Sequence, residues 1–351
     1  MATMKAAVFE KPGVITIRQV PIPEIGDDEV LIKIKYTGIC GTDWSIYTGK
    51  YSADKMPLIA GHEFSGVIDK VGKKAEGLKV GDRVTADINM SCGHCFFCKQ
   101  GQKLLCPEFH QLGIHVNGTY AEFVAAPWGQ VHKIPEKLGF LEAAFIEPVS
   151  CVIHNVKAMK AELASSVAVI GCGLGILHGA LAHLRGCAPV IVIGDNKKRL
   201  DIALKMGADY VVNVKEVADP VAEVKKLTQG RGADYVVEAV GNVATYDQAF
   251  RMVRDGGTVS AFGITNEPDT MPLRTYDLVL HEKKVTGSCA GVGNDWTDAM
   301  TLIEHGRIDV KRMFSMIVPL EELEAALKEL RSNPELIKVF VSTETSKREI
   351  L

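Results

Sequence analysis

Val167-Ala168-Val169-Ile170 runs directly into Gly171-Cys172-Gly173-Leu174-Gly175, and apolar residues at helical spacing continue through Leu184. A short apolar strand, a glycine-rich turn and a helix, in that order, present backbone N–H groups at a helix N-terminus, where a pyrophosphate binds. Such turns also form for packing alone, so the surrounding pattern has to discriminate. Residues 190–193, 210–212, 235–237 and 258–262 read as further short apolar strands, and 284–288 as a sixth. Helical segments of about a dozen residues separate most of them, which predicts a doubly wound parallel α/β sheet. Gly171, Gly173, Leu174 and Gly175 are then the dinucleotide-binding turn. The spacing departs from the usual G-x-G-x-x-G, because the third glycine comes one residue early and Ile176 stands in its place. A shortened turn in which Gly175 lets the helix approach its strand accounts for this.

The end of the second strand selects the cofactor. An acid there accepts hydrogen bonds from the adenosine ribose, whereas its loss beside basic residues suits a 2′-phosphate. The chain has Gly194-Asp195-Asn196-Lys197-Lys198-Arg199. Asp195 holds the acid's place by count from Gly171. If the turn is shortened, Gly194 holds it instead, with three basic residues, Lys197, Lys198 and Arg199, close by. NAD is favoured and NADP stays open.

Before this region the period is two. Residues 5–9, 14–20, 29–36, 64–71 and 83–87 alternate or are β-branched, with Pro12-Gly13 and Val80-Gly81-Asp82 as turns. They predict a small antiparallel barrel or sandwich. Residues 141–159 read as a helix at the change of period. An amphipathic helix over 320–331 and a strand over 337–341 close the chain. Its 351 residues suit two domains, and 47% apolar content supplies a core for each. A net charge of −3 with 24% charged residues advertises neither a nucleic-acid nor a membrane surface. The first residues lack the apolar core of a signal peptide, so a cytoplasmic protein is expected.

Nine cysteines are present, and four fall together as Cys92, Cys95, Cys98 and Cys106. Two-residue gaps turn successive thiolates to one point, and a fourth thiolate closes a tetrahedron with no open position, as in structural zinc sites. Buried free thiols and an iron–sulfur cluster are the alternatives, the latter disfavoured by the long last gap and the β-rich setting. Gly61-His62-Glu63 sets an imidazole beside a carboxylate. Alone it reads as a solvated turn as readily as a metal site.

Cys40-Gly41-Thr42-Asp43, Gly61-His62-Glu63, the four-cysteine loop, Glu147-Pro148-Val149-Ser150 and the glycine turn, in this order, resemble the zinc-containing medium-chain dehydrogenases over nearly the whole chain. Within them the polyol branch typified by sorbitol dehydrogenase is most similar, with threonine dehydrogenase and other secondary-alcohol, diol or polyol-phosphate enzymes close. The resemblance implies a Rossmann domain at 151–288 inserted into a β-rich, GroES-like catalytic domain made of 1–150 and 289–351, with a zinc lobe near 88–110. It implies two zincs per chain. The catalytic one would be held by Cys40 and His62, with Glu63 and Glu147 as carboxylate ligands, one direct and one exchanging. Thr42 would take the alcohol proton, Asp43 would orient His62, and Lys338 would reach the cofactor phosphates unless it is simply a solvated lysine. The expected reaction is reversible oxidation of a secondary alcohol, a polyol favoured, to a ketone with NAD(P), in a homodimer or homotetramer. A metal-free reductase on the same fold and a nicotinamide-binding subunit without turnover are the rivals.

Two positions depart from the pattern. Ser45 stands where related enzymes often place a proton-relaying histidine, and serine is no base near neutral pH. Ser288-Cys289-Ala290-Gly291-Val292 lacks the arginine with which sorbitol dehydrogenase holds polyols. Trp44, Tyr47, Phe109 and Trp296 are candidates for the pocket wall, with core packing as the alternative.

Overall fold

The computed structural model describes residues 2–351 and divides them into two compact units. One comprises the chain up to Ser150 together with Ala290–Gly306 and Val310–Leu351. The other is Cys151–Cys289 with Arg307–Asp309.

The first unit is built on the strand Glu29–Gly38, whose Val30, Leu31, Ile32 and Ile34 are all buried. It pairs antiparallel with Glu63–Val71, Phe123–Pro127 and Lys338–Ser342. The sheet extends through Arg83–Ala86 and Val131–Lys133 on one side, and Phe314–Pro319 and Glu349–Ile350 on the other. A hairpin of Thr3–Lys11 and Val14–Pro21 adds Ala6, Val8 and Phe9 to the same core as Phe64, Ile68 and Val339. The sheet is mixed, not purely antiparallel as expected. Phe314–Pro319 runs parallel to Lys338–Ser342, because the helix Leu323–Ser332 lies between them in sequence and a strand–helix–strand crossover returns the chain in the same direction. The helix expected over 141–159 is two, Phe140–Ala144 and Ile146–Met159. Pro148 has no N–H to give and its ring opposes the carbonyl four residues back, Ala144, which breaks the run there.

The second unit is a six-stranded parallel sheet in the order Tyr210–Asn213, Val190–Gly194, Val167–Ile170, Ala233–Glu238, Val253–Ala261, Lys284–Gly287. In sequence order that is 3-2-1-4-5-6, the doubly wound arrangement that takes dinucleotides where the order reverses. The reversal falls between Val167–Ile170 and Ala233–Glu238, so the glycine turn leaving Ile170 sits at the switch point. Strand Val167–Ile170 is buried on both faces, which is why it reads as a continuous apolar run rather than an alternating one.

Candidate active site

Three strands of the first unit meet at one end. Glu29–Gly38 finishes with Gly38 opposite Glu63 on one side and Phe340 on the other. Ile39 keeps the chain on this path by donating its N–H to Val339 O at 2.9 Å. Cys40 follows as the N-cap of the helix Gly41–Tyr47, and its N–H donates to Asp43 Oδ2 at 2.8 Å, the reach-back bond of a capping box. Opposite, Gly61 turns the chain at φ +91, and a Cβ there would lie 3.0 Å from Thr119 Oγ1, Thr37 Cγ2 and Tyr120 Cδ2. Only glycine suits both the dihedral and the space, and the turn delivers His62 and Glu63 to the strand end that carries Cys40.

Donor atoms of Cys40, His62 and Glu63 lie within 4.8 Å of one another, with His62 and Glu63 buried and Cys40 half-buried. Asp43 is completely buried behind them, its Oδ1 3.6 Å from His62 Nδ1. Neither atom has a hydrogen-bond partner among the described residues. Thr42 Oγ1 is 3.6 Å from Cys40 Sγ. Glu147, buried in the first turn of Ile146–Met159, stands outside the triangle of donors but near enough to act on the charge of His62. Burial alone would lower the pKa of His62, yet Cys40, Asp43 and Glu147 hold a proton on it and push it up to about 10. The Asp43 carboxyl is also raised, since burial outweighs the pull of His62. A buried imidazole raised this far marks a cluster of anionic donors that favours a cation in its midst. Thiolate, imidazole and carboxylate are the ligand set of an open zinc site, and these residues fit one.

The structure places Lys338 in the core of the first unit. It is buried on the strand Lys338–Ser342, with its ammonium against Glu63 Oε2 and donating to Ile39 O at 3.0 Å. Its charge is committed to the carboxylate beside Cys40 and His62, and it is not a solvated lysine. Tyr47 and Trp296 are also core groups. Tyr47 Oη donates to Glu324 Oε1 at 2.8 Å, and Trp296 stacks on His132 and donates Nε1–H to Gly291 O. Trp44 and Phe109 are half-buried.

The four clustered cysteines bring their sulfurs within 4.8 Å of one another. Zinc–sulfur bonds of about 2.3 Å imply tetrahedron edges of about 3.8 Å. Cys106 Sγ and Cys92 Sγ are 3.6 Å apart, close to that edge and far beyond a disulfide bond. Hydrogen bonding led by Ser91 lowers the Cys98 thiol to about 7. These residues also fit zinc, with no side left open.

In the second unit Gly171 has φ +117, and a Cβ there would come within 3.0 Å of Ala239 O across the switch point. A Cβ on Gly175 would lie 3.0 Å from Val169 Cγ1, whereas Gly173 faces open space. Gly175 thus brings helix Gly175–Leu184 close to its strand, and Leu174 caps that helix. Gly194 ends the second strand, and its missing side chain leaves room for Cys172 Sγ, which would be 2.5 Å from a Cβ there. Asp195 follows with an exposed side chain, its Oδ2 3.9 Å from Lys215 Nζ. Arg199, half-buried, gives its N–H to the helix cap Asn196 Oδ1 at 3.0 Å.

Two groups carry no motif in the sequence. Tyr120 lies behind Asp43. Glu238, fully buried at the carboxyl end of its strand, accepts from the N–H groups of Val240 and Gly241 and from Thr245 Oγ1, shaping the loop that faces Gly171. A charged residue directly after the run Tyr235-Val236-Val237 at the strand's carboxyl end was the available signal for Glu238.

Residues 26–136 match the family model of the alcohol dehydrogenase GroES-like domain, and residues 173–305 that of the zinc-binding dehydrogenase domain. The chain is 34% identical to a sorbitol dehydrogenase of Bacillus subtilis, over 96% of this chain and 97% of that protein. It is 35% identical to an L-threonine 3-dehydrogenase of Bacillus licheniformis, over 93% and 95%. Among solved structures, a zinc-binding dehydrogenase from Sinorhizobium meliloti bound to NADP superposes with a TM-score of 0.90 at 32% identity, covering 97% of this chain and 100% of that one. Relatives at this identity along nearly the full length, with both domains matched in order, make the chain a member of the zinc-binding alcohol dehydrogenase family.

Proposed function

We propose that this protein oxidises a secondary alcohol, a polyol by preference, to a ketone by hydride transfer to NAD(P), and catalyses the reverse reduction. The observation that carries the proposal is the buried meeting of Cys40, His62 and Glu63 with Asp43 behind them. Cys40, His62 and Glu63 would hold the catalytic zinc, with Glu147 as the exchanging carboxylate. Cys92, Cys95, Cys98 and Cys106 would hold the structural one. What the bound groups supply is Lewis acidity toward an alcohol oxygen and a hydride acceptor.

The chain's own residues do the rest. Asp43 faces His62 Nδ1 and so leaves Nε2 for the metal. The Thr42 hydroxyl, two residues beyond Cys40 and 3.6 Å from its Sγ, receives the substrate's proton. Main-chain N–H groups of Gly171, Gly173, Leu174 and Gly175 bind the pyrophosphate. Asp195 accepts from the adenosine ribose, which favours NAD, while Arg199 is the group that would meet a 2′-phosphate. Ser45 is half-buried and its hydroxyl lies 3.5 Å from Gly41 O of its own helix, where serine offers no base, so the proton leaves through water beyond Thr42. Ser45→His should therefore alter the pH–rate profile, and an unchanged profile would count against this route.

The polyol preference rests on the resemblance of the metal motifs and on a relative that is a sorbitol dehydrogenase. An assay of polyols, diols, sugar phosphates and threonine, each with NAD and NADP, should yield reduced nicotinamide with a polyol, and elemental analysis about two zincs per chain. Silence across the panel, or one zinc, would overturn the proposal. The edge strand Lys284–Gly287 is largely exposed on the cofactor sheet, and the preceding helix Thr275–Leu280 exposes Tyr276, Val279 and Leu280. An open sheet edge suits pairing with a second copy, as a homodimer or homotetramer. No described helix is long and apolar enough to cross a membrane, and the free cysteines suit the reducing cytoplasm.

A further inference from the structure

Tyr120 is fully buried, and its hydroxyl donates to Asp43 Oδ2 at 2.8 Å, with Gly38 O at 3.4 Å. The same Oδ2 accepts the Cys40 N–H at 2.8 Å. Two donors on one oxygen fix the carboxylate's rotation and leave Oδ1 facing His62 Nδ1 at 3.6 Å. The tyrosine itself has little freedom. Gly118, Thr119 and Tyr120 give their N–H groups to the carbonyls of Ile59, Gly61 and Ala60, so they run alongside the segment that delivers His62. The Tyr120 carbonyl accepts from Ala7 N–H at 2.8 Å, and its ring stacks on Phe9.

We infer that Tyr120 is a positioning residue which, through Asp43, fixes the orientation of His62 as a metal ligand. This rests on the reading of Cys40, His62 and Glu63 as a zinc site. The Tyr120 hydroxyl holds Oδ2, Oδ1 is thereby kept facing Nδ1 at 3.6 Å, and the ring presents Nε2 in one orientation. Without the hydroxyl the carboxylate gains a rotation, and the imidazole it steers is held less tightly. Partners at one remove from a metal of this kind are worth about 10–100-fold in metal affinity.

The test uses Tyr120→Phe in the full-length zinc-loaded protein, since phenylalanine keeps the ring and its stacking on Phe9. Zinc release is followed by competition with a chromogenic chelator, and the visible spectrum is recorded after cobalt is placed at the catalytic site. Tyr120→Phe should speed release of one zinc by about 10–100-fold, shift the cobalt bands and leave the second zinc unaffected. Phe9→Leu, which loosens the same packing without touching Asp43, should lower the melting temperature without either effect. In an Asp43→Asn background, Tyr120→Phe should add little, because its route to the metal is already broken. Wild-type release kinetics and an unchanged cobalt spectrum in Tyr120→Phe would overturn the inference while leaving the zinc site standing. A single zinc in the wild-type protein would overturn both. Should Tyr120→Phe not fold, Asp43→Asn decides: unchanged release of zinc there sinks the route through Asp43.

Discussion

His62→Ala is expected to leave a folded protein with one zinc per chain in place of two and to lower turnover by about a thousandfold or more. Three donor atoms within 4.8 Å, only one of them from a nitrogen base, form the buried triangle. Removing the imidazole leaves a thiolate and a carboxylate that is already paired with Lys338. That pair would not hold the ion against water, and the Lewis acidity it would supply to the alcohol oxygen would go with it. Phe64 and Ile34 belong to one large apolar cluster of the first unit that contains none of the donor residues, so folding should persist. The cysteine lobe forms its own cluster and should keep its zinc. Elemental analysis and steady-state assay check both halves. A variant retaining two zincs, or more than a tenth of wild-type turnover, would remove His62 from the mechanism.

The structure shows why some features could be read from sequence and others could not. The glycine turn was legible because its signals are local: a buried strand, a glycine at φ +117 and a helix, all consecutive. Strand Glu29–Gly38 was legible for the same reason. Phe314–Pro319 was not, because its partner Lys338–Ser342 lies beyond a helix, and parallel pairing leaves no period of its own. Phe123–Pro127 carries a Phe-Val-Ala-Ala-Pro sequence in which proline and alanine speak against a strand. It forms because it lies along Glu29–Gly38 over five paired residues.

The site divides in the same way. Cys40, His62, Glu63 and the cysteine lobe carry recognisable spacings. The Tyr120 hydroxyl and the Lys338 ammonium act across contacts between segments far apart in the chain. The resemblance implied a place at the cofactor phosphates for Lys338, and residue type offered a solvated lysine as the alternative. Register decides instead: Gly38 pairs with Glu63 on one side and Phe340 on the other, which brings the start of the last long strand to the carboxylate.

Lys338→Met should therefore act on stability first. Lys338 and Glu63 are both almost wholly buried, and Glu63 Oε2 has the ammonium as its ion-pair partner. Methionine fills similar volume but strands the carboxylate among apolar neighbours, Phe145 among them, and leaves Ile39 O without its donor. Breaking one half of a buried ion pair costs about 3–5 kcal/mol. Where the first unit melts as its own cooperative unit, that is a fall of roughly 10 °C in melting temperature. Zinc should offset part of it, since the metal held by Glu63 would be the one cation left beside that carboxylate, and a Glu63 no longer shared with an ammonium would bind the metal more tightly and weaken its Lewis acidity toward substrate. Thermal melts with and without added zinc should thus differ more in Lys338→Met than in the wild type, with turnover reduced even when zinc is saturating. Glu63→Gln combined with Lys338→Met removes both charges and should recover most of the lost stability, because the penalty belongs to the unpaired charge and not to the missing pair. A single Lys338→Met variant that melts within about 2 °C of the wild type, roughly 1 kcal/mol or less, would show that Glu63 does not need this counter-ion, and the surplus carboxylate at the metal would have to be neutralised by another group.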